Sequence, residues 1–312
     1  MKNKIARIFF ISAGVGIPAS CILLFLKIQP VYTFFYLFIW WSYILLLDSW
    51  IYLQTGTSIW IDRPIELAAF LIPFSAFIWF IFEALNLRLH DWVYIGVPRT
   101  VWVRWAGNFL AFGTVLPGMM VTENFLETWG VFRKNEFSLF FQDDWSPRAA
   151  LAWMFLGLLM ILLPMIFPKF FFPLVWGGFV FLLDPVNAHW KGKSLLREWR
   201  QKNWNRTFQT LASGLICGGL WEFWNFWAGA KWIYTVPLSD FFMGKLKIFE
   251  MPVLGFLGFP LFALECFVLL EFAKNVRERA SKKQWGFLSA ACILFMMVMC
   301  ALMDRHTVRA FR

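Results

Sequence analysis

Six carboxylate side chains lie within long apolar segments of this sequence, and they form three matched pairs. The pairs are Asp48 with Asp184, Glu83 with Glu222, and Glu123 with Glu265. An isolated charge is costly in hydrocarbon, so a carboxyl group there is kept neutral, is paired with another polar group, or is solvated by internal water. A neutral buried acid can donate a proton and an ionised one can hold a cation. These six residues are therefore the ones that we expect to do chemistry.

The neighbours of these acids are repeated as well. Asp48 in D-S-W-I-Y-L-Q-T-G-T-S matches Asp184 in D-P-V-N-A-H-W-K-G-K-S, 136 residues later. Glu83 in F-E-A-L-N matches Glu222 in W-E-F-W-N, 139 residues later. The other matched positions are Asn86 with Asn225, W-V-Y at 92–94 with W-I-Y at 232–234, and Pro117 with Pro260. Apolar bias does not generate matched Asp, Glu, Asn and Gly positions, so the sequence predicts an internal duplication.

The composition shows which elements position these residues. Of the 312 residues, 60% are hydrophobic and only 15% are charged, which indicates an all-α polytopic membrane protein. The apolar runs are continuous, unlike the alternating strands of a membrane barrel. The five cysteines lie in apolar runs and indicate no disulfide framework. About nine segments are long enough to span a membrane: 8–26, 31–53, 66–86, 106–125, 149–166, 170–186, 207–227, 251–272 and 286–303.

The duplication divides these segments into two units. Residues 1–140 form a first transmembrane repeat, residues 141–280 a second, and residues 281–312 an additional C-terminal helix and tail. Each repeat has four spans, and an even number returns the chain to the side where it began. We therefore expect two parallel four-helix repeats, related by an axis along the membrane normal.

The basic residues predict the orientation. The net charge of +10 lies in short tracts between apolar runs, which indicates topology and not a nucleic-acid partner. Of the 29 Lys and Arg residues, 18 fall on the side of the N-terminus. A multi-pass protein of the cell membrane with its N-terminus cytoplasmic and its C-terminus outside is therefore predicted.

Aromatic residues surround the acids of the second repeat. Trp221, Trp224 and Trp227 recur at every third position around Glu222, whereas Glu83 has no such run, so we expect Glu222 to be the more buried acid. Trp92, Tyr94, Trp232 and Tyr234 have the position of membrane-interface anchors. No spaced histidine set, nucleotide loop or other cofactor motif occurs in the sequence, so neither a metal nor a cofactor is predicted.

These observations define two groups of candidate residues. The candidates for acid–base catalysis are Glu83, Glu123, Glu222 and Glu265. Pro117 and Pro260 should kink or break their helices and open a cavity, while Asp48 and Asp184 either bind a substrate or cap the inner loops. The substrate-binding candidates are Trp221, Trp224, Trp232, Tyr234, Asn225, Asn86, Pro117, Pro260, Asp48 and Asp184.

The order of these motifs resembles that of one known protein family. Trp92-Val93-Tyr94 followed by Pro117, Glu123 and Phe125 is similar to a pattern of the integral-membrane lycopene cyclases, the split bacterial or fused fungal type. Trp232-Ile233-Tyr234 followed by Pro260, Glu265 and Phe267 repeats it. That family has two adjacent acids where this chain has one, and its repeat is shorter. The resemblance implies an isoprenoid substrate and a carboxylic acid that protonates it.

Three functions agree with the sequence. The first is the binding or transformation of an isoprenoid, pigment or other membrane lipid in a cavity lined by buried carboxylates and aromatic residues. The second is a transporter or a proton or cation channel with the paired acids on the pseudo-two-fold axis. The third is a non-catalytic subunit that packs against other membrane subunits. The residue pattern does not decide whether the protein is an enzyme.

Overall fold

The computed structural model of the protein describes residues 1–132, 146–236 and 246–311, and helices dominate it. The helices are, in chain order, α1 (Lys2–Phe25), α2 (Val31–Thr55), α3 (Ile59–Asp62), α4 (Pro64–Glu66), α5 (Ile72–Leu89), α6 (Val101–Phe112), α7 (Val115–Thr128), α8 (Pro147–Ile166), α9 (Pro168–Phe171), α10 (Gly178–His189), α11 (Leu195–Arg200), α12 (Asn205–Trp227), α13 (Gly258–Arg279) and α14 (Lys282–His306). The strands are β1 (Trp92–Ile95), β2 (Lys231–Tyr234), β3 (Lys247–Ile248) and β4 (Met251–Pro252).

Eight helical segments of the described chain are long and apolar enough to cross a membrane. They are Lys2–Phe25, Val31–Thr55, Pro64–Leu89, Val101–Thr128, Pro147–Ile166, Pro168–His189, Val253–Arg279 and Lys282–His306. Helix α12, 23 residues long, occupies the place of the seventh predicted segment but is not among these eight. It is less apolar because it includes Gln209, Glu222 and Asn225. A mostly helical fold with eight candidate membrane-spanning segments in the described chain is therefore confirmed, whereas nine crossings stay a prediction.

The two predicted repeats share one hydrophobic core. Helix α12 packs against α13 of its own repeat and also against α2 and α7 of the other. Trp40 on α2 is fully buried there, and its ring contacts those of Trp221 and Trp224 at centroid distances of 5.7 and 4.8 Å. No layer of polar residues separates the two halves at this point. They pack as one body.

Strands β1 and β2 join the two halves at one end of the bundle. The strands are antiparallel, with Trp92 opposite Tyr234 and Tyr94 opposite Trp232. The C-terminal tail lies beside β1, because Tyr94 N donates to Thr307 O at 2.9 Å and Arg309 N donates to Tyr94 O at 2.8 Å. We call this the outer end, in keeping with the predicted orientation.

A glycine is required where two loops cross at the outer end. Gly96 follows β1 with a φ of 68°, in the left-handed region that side chains disfavour. A Cβ atom at Gly96 would lie 2.1 Å from the carbonyl oxygen of Gly229, which precedes β2. The absence of a side chain therefore allows the two strand-bearing loops to approach one another.

Buried aspartates organise the opposite, inner end. Asp184 accepts hydrogen bonds from Ser194 Oγ at 2.9 Å, Leu195 N at 3.0 Å and Leu196 N at 2.8 Å, and so caps the start of α11. Asp48 accepts longer bonds from the backbone of α3, at 3.2 Å from Ile59 N and 3.3 Å from Trp60 N. Both aspartates satisfy helix N-terminal N–H groups that would otherwise have no partner.

The two prolines mark the starts of helices. Pro117 lies in the first turn of α7, after a break at Gly113 and Thr114 that separates α6 from α7. Pro260 lies in the first turn of α13, directly after a 3₁₀ segment over Val253–Leu257. Proline is tolerated at these positions because the first N–H groups of a helix have no intrahelical acceptor. The predicted breaks in the fourth and eighth segments are confirmed.

The caps generate a prediction about stability. Asp184→Ala leaves two backbone N–H groups and a hydroxyl buried without an acceptor, so we expect it to lower the free energy of unfolding by roughly 2–4 kcal/mol. Asp48→Ala should cost less, because its hydrogen bonds are longer. The measurement is the Tm of each variant in the same detergent, with Asp184→Asn as the control that retains an acceptor. Equal losses in both alanine variants would contradict the assignment.

Candidate functional site

Glu83 accepts three side-chain hydrogen bonds in the outer half of the bundle. One oxygen, Oε1, accepts hydrogen bonds from the indole N–H of Trp79 and of Trp92, each at 2.9 Å, and from the hydroxyl of Tyr94. The second oxygen, Oε2, is buried and has no partner among the described residues. Glu83 itself is fully buried. It combines a strongly anchored oxygen with one that is available to another group.

Glu222 has the same arrangement with fewer donors. Its Oε1 accepts a hydrogen bond from the hydroxyl of Tyr234 at 2.7 Å, and its Oε2 has no partner in the described part of the chain. Tyr234 follows Glu222 by 12 residues, as Tyr94 follows Glu83 by 11. The two carboxyl groups therefore contact equivalent tyrosines from the paired strands.

Two asparagines hold these strands in place. Asn86 donates to Trp92 O at 3.0 Å and accepts from Trp92 N at 3.2 Å. Asn225 donates to Trp232 O and accepts from Trp232 N, both at 2.9 Å. Because each amide bonds both backbone groups of one residue, it fixes the start of the strand against its helix. Asn86 and Asn225 are therefore structural supports of the site.

A cavity of about 100 Å³, here the outer cavity, lies beside these groups and between the halves. It is lined by tyrosines of both strands, Tyr94 and Tyr234, and by Trp79, Trp221 and Trp232. The indole N–H of Trp221 is buried without a partner in the described residues. The cavity therefore combines an aromatic lining with one unused hydrogen-bond donor.

A second cavity of about 60 Å³ adjoins the first, and we call it the Asp91 cavity. Five residues line both cavities: Trp79, Trp221, Trp232, Tyr234 and Phe259. The Asp91 cavity is further lined by Trp92, Trp176 and Phe262. The outer half of the protein thus contains two adjoining aromatic cavities.

None of the four glutamate candidates lines either cavity. Glu83 and Glu222 are linked to the outer cavity by hydrogen bonds from lining side chains, among them Tyr94 and Tyr234, and the other two lie apart from it. Glu265 is buried on α13, where its Oε1 accepts a hydrogen bond from Phe179 N at 2.9 Å. Glu123 is only partly buried and forms an ion pair with Arg206 at 3.4 Å. Of the states expected for a carboxyl group in an apolar segment, Glu123 therefore shows the paired one. The chain brings Arg206 to it from the start of α12.

Other candidates also have structural positions away from the cavities. Asp48 and Asp184 cap loops at the inner end, so they do not line either cavity. Trp224 packs against Trp40, and Trp227 is 51% exposed. Pro117 and Pro260 begin helices and do not line the two cavities either.

Two sequence expectations about the aromatic residues are wrong. Trp92 is only 4% exposed and donates to Glu83, so it is not an anchor at the membrane interface. Glu222 is not more buried than Glu83, since both have no exposed surface. The expectation about burial rested on the residues adjacent to Glu83. Its aromatic partners Trp79 and Trp92 instead lie four positions before it and nine positions after it.

Sequence reasoning missed an ion pair and a buried acid. Arg104, which is 4% exposed, binds both carboxylate oxygens of Asp304 from 200 positions away, and no sequence signal indicates that contact. Asp91 is 2% exposed, and burial raises its pKa to about 7. A signal for Asp91 did exist. The duplication pairs Asp91 with Lys231, so this position breaks the symmetry by a reversal of charge.

The chemistry of the site comes from carboxyl groups and aromatic rings. Within residues 1–132, 146–236 and 246–311, no three His, Cys, Asp or Glu side chains are grouped so as to hold a metal ion. Two tyrosines that line the outer cavity, Tyr94 and Tyr234, each donate a hydrogen bond to a buried glutamate.

The hydrogen bonds of Glu83 and Glu222 predict that removal of the two carboxyl groups destabilises the protein unequally. Glu83→Leu leaves three buried donors without an acceptor, whereas Glu222→Leu leaves one. At about 1–3 kcal/mol for each unsatisfied donor, we expect Glu83→Leu to be clearly the more destabilising change. Unfolding of both variants in the same detergent measures this, and Glu83→Gln and Glu222→Gln, which keep an acceptor oxygen, are the controls. Equal destabilisation by the two leucines would argue against the donor network.

No protein-family model matches this chain, and neither a curated protein nor a solved structure shows significant similarity to it.

Proposed function

We propose that the protein binds an isoprenoid or another hydrophobic lipid in the outer cavity, and that Glu83 and Glu222 supply acid–base chemistry there. The observation that supports this most is that Tyr94 and Tyr234 both line the aromatic cavity and each donates to a buried carboxyl group, whose second oxygen has no partner in the described residues. Ligand sites are commonly apolar cavities with a few polar groups that orient the ligand.

The lining fits an elongated apolar ligand that has one oxygen. Aromatic side chains offer a large apolar surface with little conformational freedom, which suits a polyene or an acyl chain. The unpaired indole N–H of Trp221 would donate to a hydroxyl, carbonyl or ester oxygen of the ligand. A ligand oxygen there would also remove the cost of leaving this donor buried and unsatisfied.

The carboxyl groups would act on a double bond of such a ligand. In this step the hydroxyl of Tyr94 or Tyr234 gives its proton to one alkene carbon and takes a proton from the neutral carboxyl group that it contacts. The adjacent alkene carbon becomes a cation and the carboxyl group becomes a carboxylate. Aromatic faces stabilise that cation. Return of a proton from a neighbouring carbon to the carboxylate then completes an isomerisation or a cyclisation. This is also the chemistry implied by the resemblance to the lycopene cyclases.

A transport route is less well supported by the cavities. A cleft of about 830 Å³ at the inner end is lined by Ser58, Asp62, Glu127 and Lys274 among others. It shares no lining residue with the outer cavity or with the Asp91 cavity. Asp48 and Asp184 use their carboxylates for loop caps instead of lining this cleft. Cavities at the two ends that share no lining residue favour a binding site over a conduction path.

The proposal includes the duplication and the orientation. We propose that residues 1–140 and 141–280 are parallel four-helix repeats, because the Asp caps, the Asn–Trp bonds and the Glu–Tyr bonds recur in both halves. The antiparallel pairing of β1 with β2 is what a two-fold axis between equivalent strands produces. We place the N-terminus in the cytoplasm and the cavities near the outer face of the cell membrane.

Retention of a bound lipid tests the binding site. Ala111 lines the outer cavity, so Ala111→Phe should fill it, whereas Ala291→Phe changes an exposed residue of α14 by the same atoms. Mass spectrometry of organic extracts from purified protein should show a hydrophobic compound that is enriched several-fold in the wild type and in Ala291→Phe but lost in Ala111→Phe. Identical lipid profiles in all three proteins would exclude the outer cavity as the site.

Conversion of the bound compound tests the chemistry. Glu222→Gln and Glu83→Gln retain the size and an acceptor oxygen but remove the titrating proton. If the carboxyl groups transfer protons, we expect each variant to bind the compound found in the wild type and to lower its turnover at least 100-fold. The readout is exchange of ligand hydrogens for deuterium in D₂O. Deuterium exchange at the wild-type rate in both variants would mean that the protein binds the compound but does not carry out this chemistry.

A further inference from the structure

Asp91 is an acid that the proposed function does not use. It lies between the end of α5 and β1, where its N–H donates to Asn86 Oδ1 at 2.8 Å and its carbonyl accepts from Thr235 N at 2.8 Å. The backbone of Asp91 is therefore held firmly from both sides. Its side chain is 98% removed from solvent, since only 2% of the residue is exposed.

The carboxylate of Asp91 has no partner. Neither Oδ1 nor Oδ2 accepts a hydrogen bond from any described residue. Burial is the only cause that raises its pKa, so no charged side chain of the described chain stabilises or opposes the ionised form. A carboxyl group left buried in this way is unusual in a folded protein, because its desolvation is not offset by any contact.

The side chain lines a cavity whose other surfaces are aromatic. Five tryptophans surround the Asp91 cavity, and their positions are 79, 92, 176, 221 and 232. Phe172, Phe259 and Phe262 complete most of the lining. A cation near such rings is attracted by the negative electrostatic potential of the ring faces, and the attraction strengthens when water is excluded. An acid among tryptophans is therefore a suitable environment for a positive ligand.

From this arrangement we propose that the Asp91 cavity binds a quaternary ammonium group, with Asp91 as its counter-ion and the tryptophans as an aromatic cage. This site is additional to the lipid site of the proposed function and does not depend on it. A quaternary ammonium is the group found on choline and on choline headgroups of lipids.

The chemistry of the lining distinguishes a quaternary from a primary ammonium. A primary ammonium has three N–H donors, each of which needs an acceptor when it is buried. The oxygen acceptors among the lining side chains are the Asp91 carboxylate and the hydroxyl of Tyr234, whose own proton is donated to Glu222, whereas the indole groups are donors only. A quaternary ammonium has no N–H group to satisfy. Its entry into the cavity therefore costs less free energy, because it leaves no donor without an acceptor.

The size of the cavity agrees with such a group. A volume of about 60 Å³ accommodates roughly four to six water-sized groups. A trimethylammonium with its first methylene has five heavy atoms. The adjoining outer cavity leaves room for the remainder of a larger molecule, since the two cavities share five lining residues. Both free choline and a choline lipid are therefore sterically reasonable sources.

The test compares choline with its neutral isostere. Purified wild-type protein in a maltoside detergent is heated with choline chloride or with 3,3-dimethyl-1-butanol, at equal concentration and at constant ionic strength. We expect choline, at several times its Kd, to raise the Tm by roughly 2–4 °C. The neutral isostere should have no such effect, because it fills the same space without the charge. This comparison needs no variant.

Variants then locate the effect at Asp91. Asp91→Asn keeps the size of the side chain and removes its charge, and it should abolish the choline shift while leaving the Tm without ligand unchanged or higher. Glu278→Gln removes one negative charge from an exposed site on α13 and should retain the full shift. If Asp91→Asn does not fold, the wild-type comparison of choline with its isostere still decides the proposal.

A lipid arm distinguishes the two sources of the group. The wild type is placed in nanodiscs of phosphatidylcholine or of phosphatidylglycerol with the same acyl chains. A higher Tm in phosphatidylcholine that is absent in Asp91→Asn supports the site and identifies a lipid headgroup. A Tm shift with soluble choline alone supports the site and identifies free choline. Equal shifts with choline and 3,3-dimethyl-1-butanol, retention of the choline shift in Asp91→Asn, or no response to choline in either form would overturn the proposal.

Discussion

The pairing of β1 with β2 is the contact on which the outer half of the structure depends. These two short strands come from different halves of the chain and hydrogen-bond along their whole length. The pairing brings Tyr94 to Glu83 and Tyr234 to Glu222, while Trp92 and Trp232 enter the lining of the cavities. A buried carboxyl group needs such donors, because hydrocarbon provides none. Loss of the pairing would therefore remove both the donors and the cavities.

The two ends of the bundle use buried acids in different ways. At the inner end, each aspartate bonds backbone N–H groups of a following short helix, and its oxygens are largely occupied. At the outer end, each glutamate bonds side chains through one oxygen and leaves the other without a described partner. Full occupancy favours rigidity, whereas an unused oxygen beside a cavity favours binding. Buried acidic residues thus support the fold at one end and the candidate site at the other.

Much of the fold and part of the site could be predicted from the sequence. The apolar runs predicted helices in the correct places, and the matched spacing of Asp48 with Asp184 and of Glu83 with Glu222 indicated groups that the structure does use in similar ways. Contacts across long separations could not be predicted. Arg104 meets Asp304 and Arg206 meets Glu123 only after the helices pack. Trp79, by contrast, lies one turn before Glu83 on α5, a spacing that the sequence does show.

The most direct test of the account is an experimental structure of the protein in nanodiscs prepared from its native membrane lipids. The central claim is that the outer cavity, bounded by Trp79, Trp221 and Trp232, holds a hydrophobic ligand between the two halves. The account predicts elongated density in this cavity that contacts the indole N–H of Trp221 and extends past Tyr94 or Tyr234. A cavity closed by its own side chains, or filled by discrete waters that continue to the inner cleft, would contradict it.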